Sequence, residues 1–277
     1  MNKPKTQKIS TLIAVIFLSV VFLCSCSNDG GSSDKNTLPQ LIIGVDYYQP
    51  FVYRDDNGNF AGADVDLASE ICRHLGYTPK FVHIEWSEKK AYLMRGEIDC
   101  LWCCFTLTGR ENDYAWTFPY MNSRQVVAVS ENSGINSISD LENKRVAVQS
   151  TTKPDEIFSG MSGVKDLQIP VLKELNCFAN MTYTFAAISN GYVDAIAGHE
   201  IVLKEYMKTS SVKLKILEES LLDVQVGVAF LSNTNADLIE RINHTLLLLK
   251  NNGFISSLVA SYGLDPDVYV INYESLR

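Results

Sequence analysis

The sequence lacks an excess of positive charge. Its 277 residues include 24 lysines and arginines against 32 aspartates and glutamates, a formal net charge of −8. Three of the lysines lie within the first eight residues, so the chain after residue 25 has 21 basic and 32 acidic residues, a balance of −11. Proteins that bind nucleic acids rely on clustered lysine and arginine to contact phosphates. The composition therefore disfavours a nucleic-acid partner.

A second long apolar run is also missing. Residues 9–23 form an apolar run of 15 residues, and nothing after them approaches the roughly 20 apolar residues of a membrane-spanning helix. The run follows the lysines, is short for a membrane helix, and ends at Cys24-Ser25-Cys26 before the polar segment SNDGGSSDKNT. These features are typical of a signal peptide. We therefore expect nothing after residue 25 to cross a membrane.

A cysteine after a small residue at the end of such a run resembles a bacterial lipobox. This interpretation predicts a signal peptide over residues 1–25, a lipidated Cys26, and a flexible tether over residues 26–39. The alternative is an ordinary cleaved signal with incidental cysteines. Both interpretations place the mature protein outside the cytoplasm, and the first anchors it to the cell membrane as a lipoprotein.

The remaining cysteines cannot all pair with each other. There are five of them: Cys72, Cys100, Cys103, Cys104 and Cys177. An odd number leaves at least one thiol free. The Cys100-x-x-Cys103 spacing suits a metal or redox site, but positions three apart on a strand point to opposite faces. We therefore predict no metal site and interpret these cysteines as small buried hydrophobic residues.

A short repeat indicates two similar α/β units. The sequence GEIDCL at residues 96–101 recurs 95 positions later as GYVDAI at residues 191–196. In each copy a glycine ends a helix-like stretch, and a short apolar run typical of a buried strand follows. Paired lobes of this kind leave a cleft between them, which is a common place for a ligand.

Hydrophobic periodicity extends the two units along the chain. The predicted strands are 41–45, 81–84, 100–105, 125–130, 145–149, 193–197 and 224–231. The predicted helices are 62–75, 87–95, 180–190 and 235–252. The first three strands alternate with helices as βαβαβ, which predicts a parallel sheet with right-handed crossovers.

The predicted fold class is therefore α/β, with two Rossmann-like lobes. Lobe 1 comprises residues 40–127 and 225–266, lobe 2 comprises residues 128–224, and residues 267–277 form a C-terminal tail. The chain leaves lobe 1 near residue 127 and returns near residue 225. Two such crossings make a hinge.

Candidate site residues lie where the predicted strands end, because ligands of open α/β sheets bind at the carboxyl ends of the strands. They are Asp46, Tyr48, Trp102, Cys103, Cys104, Thr106, Arg110, Ser150, Thr151, Thr152, His199 and Glu200. Arg110 can grip a carboxylate with two parallel hydrogen bonds, and backbone N–H groups near Thr151 can add positive charge. Asp46 can hold an ammonium group under the ring of Tyr48 or Trp102. The set suits a small zwitterion.

Each of these residues also has a purely structural interpretation. Asp46 fits a turn cap, residues 150–152 fit a helix cap, and Arg110 fits a surface ion pair with Glu111 or Asp113. Trp102 fits an ordinary core position, because aromatic residues on strands are usually buried. What favours the ligand site is that all of these residues fall at one end of the predicted strands.

Long segments of the chain resemble the extracellular solute-binding proteins of polar amino-acid ABC importers. The likeness covers nearly all of residues 40–265 and is specific in LIIGVDYYQPF, GADVDLA, GEIDCLWCCFTLTGRENDYAWTFPY and AVQSTTKPDE. It implies the type II periplasmic-binding-protein fold, in which two lobes close over an amino acid. It further implies delivery of the ligand to an ABC permease, no cofactor and no enzymatic activity. We expect a monomer.

The resemblance also implies roles for single residues. Asp46 resembles an ammonium contact, Tyr48 the aromatic lid, Arg110 the carboxylate clamp, and Thr151 with Thr152 the carboxylate cradle of the second lobe. Cys103, Cys104 and Thr106 fall on the strand-end positions at which the family uses small polar groups.

His199 stands where the family usually has an aspartate for the ammonium group, with Glu200 beside it. A neutral imidazole cannot replace that charge, so Asp46 would act alone or with Glu200. A second hypothesis is an enzyme like the cyclohexadienyl dehydratases, with Glu200 as the acid. A third is a ligand sensor. The structural alternative is that His199 only packs and Glu200 starts a helix.

Overall fold

The computed structural model describes residues 37–165 and 167–273. Within these ranges the chain forms two five-stranded sheets and a short hairpin. The strands are β1 Gln40–Val45, β2 Tyr53–Arg54, β3 Phe60–Ala61, β4 Thr78–His83, β5 Cys100–Leu101, β6 Ala115–Trp116, β7 Met121–Ser130, β8 Arg145–Gln149, β9 Glu174–Phe178, β10 Ala195–His199, β11 Leu214–Val226 and β12 Ala229–Phe230. The helices are α1 Ala63–Leu75, α2 Lys89–Met94, α3 Lys153–Phe158, α4 Met181–Ser189, α5 Glu200–Met207, α6 Ala236–Asn251, α7 Phe254–Ser261 and α8 Pro266–Tyr269. Single 3-10 turns span Trp86–Glu88 and Ser139–Leu141.

The first sheet has the strand order β4-β1-β5-β12-β6. Strand β1 is parallel to β4 and β5, which confirms the predicted βαβαβ arrangement, whereas β12 is antiparallel to β5 and β6. The predicted apolar stripe of α1 is buried, as Val65, Ile71 and Cys72 show. Gly76 ends this helix at φ 74°, in the left-handed region that glycine adopts without steric cost.

Strand β5 is shorter than the pattern at residues 100–105 predicts. It ends at Leu101, and Cys104 lies in the left-handed region at φ 46°. This conformation turns the chain out of the sheet. The Cys104 N–H then donates to Asp64 Oδ2 at 2.5 Å, so the turn has a buried carboxyl to hold it. Residues 102–106 consequently form a loop at the strand end.

The second sheet has the order β11-β7-β10-β8-β9. Strand β8 is parallel to β9 and β10, while β7 is antiparallel to β10 and β11. The sequence pattern misses β9 and most of β11. Strand β9 has no fully buried face, and the register of β11 shifts between Ile216 and Leu222. Both features remove the alternation by which strands are recognised.

The two aspartates of the repeat have the same role in the two sheets. Asp99 donates its N–H to the Ile42 carbonyl at 2.7 Å and accepts the Ile42 N–H on Oδ2 at 2.7 Å. Asp194 makes the same pair of hydrogen bonds with Arg145, both at 2.8 Å. Each aspartate therefore ties the start of one strand to its parallel neighbour.

The chain passes from the first sheet to the second between β6 and β7 and returns between β11 and β12. These two crossing segments are hydrogen-bonded to each other. Thr117 donates its N–H to the Val228 carbonyl at 3.0 Å, and Val228 N–H donates to Thr117 Oγ1 at 3.1 Å. Tyr120 N–H donates to the Val226 carbonyl at 2.9 Å. The crossings therefore form one paired ribbon.

The described part of the predicted tail packs against this ribbon. Val270 forms an antiparallel bridge with Met121 at the start of β7. The Tyr273 hydroxyl donates to the Pro119 carbonyl at 2.8 Å. None of the described helices has both the length and the apolar composition to span a membrane.

The five described cysteines are all unpaired, and Cys177 is the exposed one among them. Cys103 is buried and its thiol donates to the Asp46 carbonyl at 3.2 Å. Burial raises the pKa of the Cys100, Cys103 and Cys104 thiols well above the ordinary value. Among the described residues, no group of three or more His, Cys, Asp or Glu side chains is arranged to hold a metal ion. The buried cysteines are thus neutral packing residues.

Candidate functional site

A small cavity lies where the carboxyl ends of strands from both sheets meet. We call it the inner cavity; its volume is about 30 Å³, enough for one or two water molecules. Eight of the predicted residues line it: Asp46, Tyr48, Cys103, Cys104, Thr106, Arg110, Thr152 and His199. The others in its wall are Trp86, Phe105, Gln125, Lys153 and Pro154. The residues that the strand-end rule selects therefore follow four different strands and meet in one cavity.

Arg110 is buried in the wall that belongs to the first sheet. Its Nε and Nη2 atoms donate to Glu156 Oε1 at 2.8 and 2.6 Å. Nη1 donates to the Thr106 carbonyl at 3.2 Å, and Nη2 also donates to the Thr151 carbonyl at 3.3 Å. The ion-pair partner of Arg110 is thus Glu156 of α3, in the opposite wall.

Lys153 stands beside this ion pair and is itself buried. Its Nζ donates to Glu156 Oε2 at 2.6 Å and to the Ser162 carbonyl at 3.2 Å. Burial, followed by the positive charge of Arg110, lowers the pKa of Lys153. One carboxylate, Glu156, therefore serves two buried cations from two sides.

Asp46 lies in the same cavity, directly after β1. Its Oδ2 accepts a hydrogen bond from Gln149 Nε2 at 2.6 Å, across the cleft between the sheets. Its Oδ1 accepts the Tyr47 N–H at 2.7 Å and lies 3.2 Å from His83 Nε2. Burial raises the pKa of Asp46, although these hydrogen bonds oppose the rise.

His199 ends β10 and is buried in a network of polar side chains. Its Nδ1 lies 2.7 Å from Ser123 Oγ, and its Nε2 lies 2.9 Å from Gln125 Nε2 and 3.1 Å from Thr106 Oγ1. Burial, followed by Arg110, lowers the pKa of His199 to about 3. The imidazole is therefore neutral and brings no charge to the cavity.

Thr151 and Thr152 lie at the entry to α3. Thr151 has a left-handed φ of 59°, and its backbone N–H donates to Asp155 Oδ2 at 2.7 Å. Lys89 of α2 reaches across and donates to the Thr151 carbonyl at 3.0 Å and to its Oγ1 at 2.7 Å. Burial lowers the pKa of Lys89 to about 7, with Arg110 as the next cause. The backbone N–H groups of Thr151 and Thr152, which the resemblance predicts to bind a carboxylate, donate instead to Asp155 and to the Gln149 carbonyl.

Trp102, Ser150, Thr151 and Glu200 do not line the inner cavity. Trp102 is fully buried beside Tyr120, with 6.2 Å between ring centroids. Ser150 donates its N–H to the Phe178 carbonyl at 2.8 Å.

Glu200 is the first residue of α5. Its carboxylate lies 2.8 Å from Lys204 Nζ and 3.6 Å from Arg124 Nη1. His199, the last residue of β10, lines the inner cavity, whereas Glu200 does not. The dehydratase hypothesis needs Glu200 in the cavity, and its side chain is instead held in an ion-pair cluster outside.

Sequence reasoning missed the second-sheet side chains that occupy the cleft. Gln149 is the last residue of β8, so the strand-end rule was sufficient to select it. Lys153 and Glu156 lie on α3; Lys153 lines the inner cavity, and Glu156 contacts Arg110 of its wall. Lys153 directly follows the strand-end residues 150–152, but no local pattern marks Glu156, because its contact with Arg110 depends on how the two sheets face each other.

A larger groove lies next to the inner cavity, and we call it the outer groove. Its volume is about 620 Å³. Its walls are the hairpin region, helix α4 and helix α5, including Tyr47, Tyr53, Met181, Phe185, Val202 and Tyr206. Tyr48 belongs to the walls of both spaces. Tyr48 therefore lies between the small inner cavity and a wider groove that has four more aromatic residues in its walls.

Known proteins resemble this chain along most of its length. Residues 41–265 match the family described as bacterial extracellular solute-binding proteins, family 3. The probable histidine-binding protein of Campylobacter jejuni is 26% identical over 266 residues, which cover 94% of this chain and 100% of that relative.

Two solved structures extend the comparison to the fold. The holo form of ArgBP from T. maritima is 30% identical with a TM-score of 0.67, covering 76% of this chain and 90% of that one. An ancestral amino-acid-binding protein, a precursor of cyclohexadienyl dehydratase, is 25% identical with a TM-score of 0.71, covering 80% and 95%. The fold is thus that of type II periplasmic binding proteins, and the relatives are binding proteins rather than enzymes. Because the family match spans both sheets and both walls of the inner cavity, this chain belongs to the bacterial extracellular solute-binding proteins of family 3.

Proposed function

We propose that this protein captures an amino acid between its two sheets and delivers it to an ABC permease. The observation that supports this most is the pairing of Arg110 and Asp46 in one buried cavity. A guanidinium and a carboxylate in the same cavity match the two charged ends of a zwitterion. The names of the relatives, which bind histidine or arginine, agree with this chemistry.

The proposed mechanism is closure of two lobes about the paired ribbon. The lobes expected from the sequence are residues 40–127 with 225–266, and residues 128–224; because residues 121–127 belong to β7 of the second sheet, we place the first crossing at residues 117–120 instead of near 127. The inner cavity, at about 30 Å³, is smaller than an amino acid, so binding requires the cleft to open first. Closure then excludes water, which strengthens the charged contacts made by both walls.

We further propose that the protein is a monomer held at the outer face of the cell membrane by a lipid on Cys26. Cys26 lies outside the described residues. The support comes from the sequence alone, namely the lysines, the apolar run and the small residue before Cys26. A lipid anchor of this kind would keep the protein close to its permease, and the polar segment after Cys26 would act as the tether.

A thermal-shift screen of the twenty L-amino acids tests the proposal. A ligand that binds the folded protein raises its melting temperature in proportion to the logarithm of concentration over Kd, so a ligand at about 100 times its Kd adds roughly 2.7 kcal/mol of stability. We expect at least one amino acid to do so, and Arg110→Ala to abolish the effect. If none of the twenty raises the melting temperature, the proposed ligand class is wrong.

A further inference from the structure

Two charged residues that line the inner cavity, Arg110 and Asp46, are each paired with a side chain from the side of the second sheet. The Glu156 carboxylate receives two N–H groups of Arg110. The Gln149 amide nitrogen donates to Asp46. Both Glu156 and Gln149 belong to the second sheet and its helix α3, whereas Arg110 and Asp46 belong to the first.

The chemistry of these two contacts is that of a bound amino acid. A carboxylate on Arg110 is what the α-carboxylate of a ligand would supply. An N–H donor on Asp46 is what the ligand's ammonium group would supply. The second wall therefore presents to the first wall the same two groups, a carboxylate and a nitrogen donor, that the ligand brings.

We propose that Glu156 is a specificity-determining residue that competes with the ligand's carboxylate for Arg110. The proposal rests on the proposed function, because it takes the ligand to be an amino acid. Gln149 has the weaker, uncharged counterpart of this role at Asp46. The closed cleft is then stabilised by the protein's own side chains, and a ligand must displace Glu156 before it reaches Arg110.

The donors of Arg110 leave little room for both carboxylates. Nε and one Nη2 hydrogen go to Glu156, the other Nη2 hydrogen goes to the Thr151 carbonyl, and Nη1 donates to the Thr106 carbonyl. A second carboxylate at this guanidinium would also lie beside a like charge. Glu156 is held in place from its far side by Lys153. The Glu156 carboxylate and the ligand's carboxylate therefore compete for the Nε and Nη2 donors of Arg110.

A competitor that belongs to the protein lowers affinity in a predictable way. If the self-occupied closed form is the main ligand-free form, the apparent Kd rises in inverse proportion to the fraction of molecules that are free to bind. Neutralising Glu156 removes the competitor's charge and leaves Arg110 in place. Affinity for a carboxylate-bearing ligand should then rise.

The test compares wild type with Glu156→Gln, using the amino acid that gives the largest thermal shift. By isothermal titration calorimetry we expect Glu156→Gln to bind this amino acid about tenfold more tightly, since the charge-assisted hydrogen bonds to Arg110 are replaced by a weaker neutral one. The carboxamide of the same amino acid, which has no carboxylate, should gain less than about twofold. Glu111→Gln is the matched control, because Glu111 carries the same charge nearby but accepts the Gly109 N–H instead of contacting Arg110.

Small-angle X-ray scattering of the ligand-free proteins gives a readout that needs no ligand. We expect a larger radius of gyration for Glu156→Gln than for wild type, and none of this change for Glu111→Gln. If Glu156→Gln fails to fold because Lys153 loses its partner, Glu156→Asp replaces it, since the shorter side chain keeps a charge near Lys153 but withdraws from Arg110.

Unchanged scattering together with unchanged or weaker amino-acid binding would overturn the proposal. A gain in affinity that is equal for the amino acid and its carboxamide would also overturn it, because the effect would not concern the carboxylate. If no amino acid binds any variant but the scattering change is present, Glu156 still holds the cleft closed through Arg110, whereas the proposed ligand class and the competition with the ligand's carboxylate both fail.

Discussion

The two copies of the repeat begin alike and end differently. Asp99 and Asp194 make equivalent pairs of hydrogen bonds to the neighbouring parallel strand. At the ends of the strands, however, the first copy turns outward at Cys104 and is held by the carboxyl of Asp64, whereas the second ends in the neutral His199. The repeat therefore conserves the means of strand pairing and varies the group that each strand presents to the cleft.

Asp64, which holds the end of the first copy, and His199, which ends the second, also respond differently to pH. Burial lowers the pKa of His199 to about 3 and raises the pKa of Asp64 to about 7. His199 therefore contributes stability above pH 6.5, its ordinary pKa, and loses it as pH falls toward 3. Asp64 contributes stability below pH 3.8 and loses it as pH rises through about 7. The two strand ends should respond to acid in opposite directions.

His199→Gln should produce the largest change. A shift of the pKa from 6.5 to about 3 corresponds to roughly 5 kcal/mol of stability lost between those pH values. Glutamine keeps a donor and an acceptor but does not titrate, so the variant should lose much less stability over this range. Urea unfolding at intervals from pH 7 to pH 3 measures the difference. Parallel pH profiles for the two proteins would mean that His199 does not titrate as its burial implies.

Asp64→Asn should change the profile in the opposite sense and by slightly less. A rise of the pKa from 3.8 to about 7 corresponds to roughly 4 kcal/mol of stability lost by the wild type as pH increases over that range. Asparagine still accepts the Cys104 N–H but has no charge to bury. The same unfolding series should show wild type falling relative to the variant as pH rises. A wild-type profile that rises relative to Asp64→Asn would contradict the assignment.

Asp99→Ala and Asp194→Ala should have the smallest effects and should resemble each other. Each removes the acceptor of one backbone N–H, at Ile42 or Arg145, which costs about 1–3 kcal/mol. The extra ion pair between Asp194 and Arg145 is partly exposed and contributes little. Chemical denaturation at pH 7 measures both, and ligand affinity should stay within about twofold of wild type. A difference above about 2 kcal/mol would show that the aspartates are not equivalent.

Much of this architecture could be predicted from the sequence because it follows from local rules. The helix stripe that ends at Gly76, the parallel pairing of β1 with β4 and β5, and eight of the cavity residues all follow from periodicity and strand order. The missed strand segments, β9 and most of β11, lack a continuous alternation. Their pairing is decided by neighbouring strands that lie far away in sequence.

The parts of the site that could not be predicted depend on distances between elements. Glu156 reaches Arg110 across the cleft, over 46 positions of sequence, and no pattern within α3 encodes that contact. The strand-end rule selects Glu200 together with His199, but Glu200 begins α5 and its carboxylate pairs with Lys204 and Arg124. Trp102 was selected in the same way and lies wholly inside the core.

The paired crossings between the sheets have a mechanical consequence. Two separate linkers would let one sheet twist, slide and bend relative to the other. Here the segments at residues 117–120 and 226–228 are cross-linked by three hydrogen bonds, so neither can lengthen or rotate without the other. A ribbon of this kind bends across its flat face far more easily than it shears. We therefore expect the two sheets to move relative to each other mainly by bending of this ribbon.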